Sequence, residues 1–355
     1  MRFALVGDHP DGRAFAAAAV ASGHTLYAYC GPDATAARQL NSVVKTTQDM
    51  EEALADPQVQ AVIVAVPVDK RLDAARRVLQ SERHAVVVHP VDVKPDGGYE
   101  LNMLQGDMHQ ALLPLLPEAF LEMKLPADAW LELTITDPNE PLLHLDAARR
   151  HPAFPGWTLI RRLAGEVLEV NAFGADDCAQ PGGVLLCSGH AERGLFQIKC
   201  HRGGERRQVR LGVNTADDET NHDLSEIAGA WPTLVAEFDR AVAKLAATTR
   251  SAPAAGANAE PQAAISWRDE IRALELNEGA ARSLAKRRSV LMEYQEGSEE
   301  VGFKGTMTLI GCGMLWLVIL LLVLSAWQPW LLWLILPALV LFLGLQMFGI
   351  FARNN

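Results

Sequence analysis

RFALVGDHPDGRAFAAAAVASGHTLYAYCGPD, residues 2–33, is the stretch from which the rest of the chain is read. It opens with Phe3-Ala4-Leu5-Val6, a short apolar run suited to a buried parallel strand. Gly7 and Gly12 bracket a tight turn, residues 13–22 are rich in good helix formers, and Gly23 stops them. A second apolar strand, residues 25–29, follows. Strand, glycine turn, helix and strand in this order are the layout of a dinucleotide-binding βαβ unit. The glycine fingerprint itself is altered. Where G-x-G-x-x-G is wanted, the chain reads Gly7-Asp8-His9-Pro10-Asp11-Gly12, with His9 in place of the glycine that lets the backbone approach a pyrophosphate. The acid expected after the second strand, for the ribose hydroxyls, falls near Cys30-Gly31. Asp8 and Asp11 add negative charge at the helix N-terminus, where it competes with a phosphate. His9 can tolerate a phosphate there or block it.

The alternation continues. Residues 34–40 read as a helix with Asp33 as N-cap, Ser42-Val43-Val44 as a short strand, and residues 49–54 as a helix with Asp49 and Glu52 at capping-box spacing. Ala61-Val62-Ile63-Val64-Ala65 reads as a buried strand ended by Val66-Pro67. Residues 70–79 read as a helix with Leu72, Ala75 and Leu79 on one face, and residues 84–88 as the next strand, ended by His89-Pro90. Open parallel sheets bind ligands at the C-terminal ends of their strands, which places His9, Pro67 and His89 along one rim.

In the second half, period-two alternation recurs. Leu131, Leu133 and Ile135 oppose Glu132, Thr134 and Thr136; Leu168, Val170 and Ala172 oppose Glu169 and Asn171. Phe196, Ile198 and Cys200 oppose Gln197 and Lys199; Val209, Leu211 and Val213 oppose Gln208 and Arg210. This predicts a mainly antiparallel sheet with one buried and one polar face. Residues 231–247 form an amphipathic helix carrying Leu234, Val235 and Phe238 on one side. Residues 248–264 are an Ala/Pro/Gly/Ser-rich loop, expected to be mobile. Ser266 caps a helix through Ala285 that carries Trp267, Ile271, Leu274, Ala281 and Leu284.

The last part is of another kind. Residues 306–327 and 330–351 carry no charge, and each is long enough to cross a hydrocarbon core of ~30 Å. Gln328-Pro329 breaks them, which predicts a transmembrane hairpin with Trp327, Trp330 and Trp333 near its turn, the alternative being a single hairpin buried in a protein core. Lys304 before it and Arg353 after it place both chain ends and the body on the cytoplasmic side of the membrane. The expected organisation is therefore 1–110, 111–292, a linker 293–305 and the hairpin 306–351.

Composition narrows the function. The 355 residues carry a net charge of −11, with no basic block beyond Lys286-Arg287-Arg288, which argues against a nucleic-acid partner. The five cysteines (Cys30, Cys178, Cys187, Cys200, Cys312) show no metal spacing and read as reduced, mostly core thiols. The start of the chain lacks the basic n-region of a signal peptide. No Ser/His/Asp set, Walker loop or paired carboxylates stand out.

Residues 53–67, ALADPQVQAVIVAVP, and 83–92, RHAVVVHPVD, resemble the corresponding runs of the Gfo/Idh/MocA family, relatives of glucose–fructose oxidoreductase and inositol dehydrogenase. The resemblance extends over residues 2–292. It implies an α/β fold: an N-terminal Rossmann-type parallel sheet, then an α+β domain with an open-faced antiparallel sheet, here followed by the two transmembrane helices. It implies NAD or NADP as cofactor, a sugar or polyol-like substrate, and homodimers through the open sheet face. Family members carry Glu-Lys-Pro at the end of the fifth strand, the lysine touching nicotinamide and substrate. The matching residues here are Val88, His89 and Pro90. The segment PGWTLIRRLAGEVLEV, residues 155–170, resembles the one that bears the family's proton-transferring Asp and His, whose positions fall on Thr158 and Pro155.

The candidate cofactor contacts are Gly7, Asp8, His9, Gly12, Val66, Pro67, His89 and Pro90. His89 is the candidate catalytic residue: an imidazole in the lysine's place can donate a proton near neutral pH, or it can be a hydrogen-bonded, inert strand-end histidine. His151, beside Arg149 and Arg150, can meet an anion or form a solvated turn. Two functions follow. The sequence favours a membrane-anchored, non-catalytic nucleotide- or metabolite-binding or scaffolding module, with membrane lipid and a second copy of the chain as partners. The alternative is an NAD(P)-dependent oxidoreductase with altered catalytic residues.

Overall fold

The computed structural model describes residues 1–120, 123, 125–126, 129–137, 143–145, 150–152, 156–174, 183–204, 208–224, 230–248 and 265–294. Residues 1–294 form one compact unit and 295–355 another. The predicted spans 306–327 and 330–351 and the loop 249–264 lie outside the described residues; among the described residues no helix is long and apolar enough to cross a membrane.

The N-terminal sheet contains β1 (Arg2–Gly7), β2 (Thr25–Cys30), β3 (Lys45–Thr47), β4 (Ala61–Ala65), β5 (His84–Val88) and β6 (Leu112–Leu115), in the order β3-β2-β1-β4-β5-β6. Every pairing in it is parallel. All of Ala61–Ala65 is buried, because helices cover both faces of the sheet. Helices α1 (Pro10–Ala21), α2 (Ala34–Leu40), α3 (Met50–Ala55), α4 (Val68–Gln80) and α5 (Pro95–Met108) connect its strands. The strand order reverses at β1, so the crevice lies between the C-terminal ends of β1 and β4.

The second sheet has the order β14-β13-β7-β12-β11-β10-β15. Its strands are β7 (Trp130–Asp137), β10 (Val167–Gly174), β11 (Val184–Ala191), β12 (Gly194–Arg202), β13 (Gln208–Asn214), β14 (Glu219–Asp223) and β15 (Val290–Leu291). Only β7 and β12 pair in parallel. A separate hairpin joins β8 (Leu143–Leu145) to β9 (Arg150–Pro152), and α6 (Trp157–Ala164) covers the buried face of the large sheet. On that face lie Leu131, Leu133, Ile135, Phe196, Ile198, Cys200, Val209, Leu211 and Val213, as the alternation predicted.

The last two helices, α7 (Ala230–Thr248) and α8 (Trp267–Lys286), return to the parallel sheet and pack on opposite faces of it. Leu234, Val235 and Phe238 of α7 join the core under α1, with the Phe238 ring edge-on to Phe15. Helix α8 is shared: Trp267, Ile271 and Leu274 pack with α4 and β4, while Ala273, Leu276 and Ala280 pack under the second sheet. Its start is the capping box of Ser266 and Asp269.

Three local expectations are corrected. Residues 42–44 are a turn, with the strand moved to Lys45–Thr47, because Asn41 turns the chain by accepting the Val43 N–H and leaves Val43 86% exposed. Leu168 is 44% exposed and does not share the buried face of Val170 and Ala172. A register shift between Val167 and Glu169 breaks the alternation there and puts Val167 inside instead. The Asp49–Glu52 pair closes only half a box. Asp49 accepts the Glu51 N–H, while Glu52 binds the Thr47 hydroxyl and Lys45.

Candidate functional site

At the end of β1, Gly7 turns the chain with φ +96°, and a Cβ there would lie 2.3 Å from the Ala65 carbonyl oxygen. A Cβ on Gly12 would lie 2.4 Å from that of Ala65. Both glycines thus let the turn press against β4, and the His9 N–H donates to the Ala65 carbonyl at 3.0 Å. His9 is the N-cap of α1, and its Nδ1 accepts the Asp11 N–H at 3.3 Å. One of the donors an anion would meet at this helix end is therefore already engaged by the chain itself.

Tyr29, buried at the end of β2, donates its hydroxyl to Asp8 at 2.7 Å and accepts the Asp33 N–H at 3.2 Å. Burial, then the hydrogen bond to Asp8, pushes the phenol well above its ordinary range. A Cβ on Gly31 would come 2.4 Å from this hydroxyl. Tyr29 thus fills the space beside Gly31 and ties the glycine turn to β2.

At the ends of β4 and β5, Val66 and Pro67 lead into α4, and the His89–Pro90 peptide is cis. Buried Arg71 joins the two strand ends, donating from Nε to the Val66 carbonyl and from Nη1 to the Pro90 carbonyl, each at 2.8 Å. His89 is only 8% exposed. Its Nδ1 pairs with Oε2 of Glu270, a residue of α8 with no exposed surface. The other oxygen of Glu270 accepts the Val91 N–H at 2.7 Å. On either side of Glu270 in α8, Trp267 donates to the Gly98 carbonyl at 2.8 Å, and Tyr99 donates to Glu275, which also holds Arg272. The carboxyl of Asp92, beside this loop, is pushed upward by burial.

Thr158 lies in the first turn of α6, 4% exposed, and its hydroxyl has no hydrogen-bond partner among the described residues. Pro155 and Arg149 lie outside the described residues, and His151 sits in β9, backbone-paired to His144. Among the described residues no group of three or more His, Cys, Asp or Glu side chains gathers as a metal site. Cys187 and Cys200 are buried free thiols, Cys200 pushed by burial to about 12. Cys178 and Cys312 lie outside the described residues.

The sequence reading brought His9, Pro67 and His89 to one rim, and the parallel sheet places all three at its C-terminal edge. It missed Tyr29, Arg71 and Glu270. Two of these carry a visible sign. Glu270 falls on the apolar stripe of Trp267, Ile271 and Leu274, and Arg71 on that of Ala74, Ala75 and Val78. A charge on a buried stripe needs a partner.

No curated protein sequence matches the chain. Solved structures resemble it at TM-scores near 0.6. A myo-inositol 2-dehydrogenase from Lactobacillus plantarum has a TM-score of 0.62 at 11% identity, over 82% of this chain and 99% of that one. A myo-inositol dehydrogenase from Corynebacterium glutamicum has 0.58 at 15% identity, over 83% and 99%. GenD2 from gentamicin A biosynthesis, solved with NAD, has 0.59 at 16% identity, over 82% and 97%. At these identities the likeness is one of fold: a Rossmann-type parallel sheet joined to a second sheet. Residues 1–106, the part that forms the crevice, match the model of the Gfo/Idh/MocA group, described as the oxidoreductase family with an NAD-binding Rossmann fold.

Proposed function

We propose that the chain binds a nicotinamide dinucleotide at the β1–β4 crevice without using it for hydride transfer, as a binding or scaffolding module. The observation that carries this reading is His89. In the place of the resembled family's lysine stands an imidazole with 3% side-chain exposure, engaged by a buried carboxylate. Thr158, in the place of the aspartate, offers a buried hydroxyl with no acid to accept a proton.

The residues fit the dinucleotide in part. Gly7 and Gly12 shape the turn, and α1 presents its N-terminus to a pyrophosphate. Val66, Pro67 and Pro90 line the strand ends where a nicotinamide ring would lie. When bound, that ring would supply a hydride acceptor, and the rim position of the resembled family's lysine is filled by His89, held against Glu270. Asp8 and the His9 cap weaken the anion site. The test is a titration of NADH, followed by its fluorescence, into wild type and His9→Gly. Freeing the cap should tighten binding about tenfold, a difference of ~1.4 kcal/mol. Equal affinities would remove the crevice from the account.

The second reading, an NAD(P)-dependent oxidoreductase acting on a sugar or polyol as its fold neighbours are named to do, is favoured by one feature. A histidine paired with a carboxylate is also an acid–base dyad. Under it, His89→Ala abolishes turnover and leaves dinucleotide affinity intact. The uncharged stretches 306–327 and 330–351 support membrane anchoring with the body on the cytoplasmic side. The polar open face, with Glu132, Gln197, Lys199 and Arg210 beside exposed Phe173 and Leu195, supports pairing with a second copy.

A further inference from the structure

Both oxygens of Glu270 are spent on one short segment, His89 and Val91, at the end of β5. The carboxylate comes from α8, more than 170 residues away in the chain, and is fully buried. Burying a carboxylate is costly unless it is hydrogen-bonded. Its orientation is fixed here by two donors of different kinds: a backbone N–H, which can only donate, and an imidazole nitrogen, which can do either.

We propose that Glu270 is the positioning residue of the rim, fixing His89 with its hydrogen on Nδ1 and holding the end of β5 in shape from the second sheet's helix. The inference rests on the reading that the β5 end borders the ligand crevice. A carboxylate offers only acceptors, so the nitrogen facing it must be the donor. Nε2 is then the nitrogen without the hydrogen, so α8 decides which ring nitrogen of His89 carries it. The neighbouring contacts act in the same direction. Trp267 binds the Gly98 carbonyl and Glu275 the Tyr99 hydroxyl, so α8 grips the first turns of α5 as well as the end of β5.

A merely structural Glu270 predicts lost stability on substitution. A positioning role predicts that Glu270→Gln moves a proton. The Val91 N–H requires the amide oxygen, which turns the amide NH2 toward Nδ1, and Nδ1 must then accept. The hydrogen of His89 shifts to Nε2.

The experiment is imidazole 15N NMR on the full chain in detergent at pH 8, with all ten histidines 15N-labelled and His89 assigned by its disappearance in His89→Gln. The wild type should show His89 protonated at Nδ1, and Glu270→Gln should show the proton on Nε2. A wild-type His89 carrying its proton on Nε2 alone overturns the proposal, as does a Glu270→Gln spectrum with the wild-type pattern. If that variant does not fold, the wild-type spectrum still decides. A failed NADH titration would remove the proposed function and leave this tautomer assignment standing, so the two fail separately.

Discussion

His84 accepts the Ala111 N–H on Nδ1 at 3.1 Å and lies edge-on to Phe238. Burial pushes its imidazole below the usual histidine range. The unfolded chain therefore takes up a proton, below about pH 6.5, before the folded one does. Stability present above that pH is lost as pH falls toward the lower folded value. Thermal melts between pH 7.5 and 5.5 should show a fall that is smaller in His84→Asn. His201, lowered by burial and then by Lys199, leaves a residual slope in the variant. An unchanged slope would mean that His84 is not the group that titrates. His84 also marks the limit of reading residues from sequence. The strand it opens was legible from its apolar run, but its acceptor role depends on the backbone N–H of the residue just before β6. Tyr29 is similar: it looked like a strand residue, and only the fold brings Asp8 to its hydroxyl. The glycines were legible, since a turn after a buried strand needs them whatever else surrounds it.

Among the elements, β1, β4, β5 and α8 were recovered from runs, breakers and caps, because one local signal determines each. The misplaced strand at residues 42–44 and the displaced Leu168 each failed at a local irregularity: the Asn41 turn moves the strand to Lys45–Thr47, and the register shift between Val167 and Glu169 breaks the alternation. Strands β11 and β14 and helix α5 carried no signal strong enough to be read. Helix α6 was seen only as a matching segment, yet it holds a key contact. Fully buried Trp157 donates from its indole nitrogen to Asn277 of α8 at 2.7 Å. Trp157→Phe should cost about 1–3 kcal/mol in urea unfolding, since it strands the Asn277 acceptor. A loss below about 0.5 kcal/mol would show that Asn277 finds another donor.

At the scale of the whole molecule, the cores around the two sheets close on themselves through α7 and α8 within residues 1–294. The last residues of that unit are stitched down: the Met292 N–H donates to the Leu168 carbonyl, and the Tyr294 hydroxyl to the Val167 carbonyl at 2.6 Å. A chain ending at Tyr294 should therefore express as a soluble, cooperatively melting protein with the circular-dichroism spectrum of a mixed α/β fold. Aggregation of that chain in the absence of detergent would show that residues 295–355 complete its core. Binding of a dinucleotide in the crevice without hydride transfer is checked by absorbance at 340 nm. The full chain is incubated with saturating NAD or NADP and a panel of polyols and sugars, and absorbance of the reduced cofactor is followed. A binding module gives no reduction above the protein-free control. Sustained reduction that His89→Ala abolishes would contradict it and make the His89–Glu270 pair the catalytic dyad of an oxidoreductase.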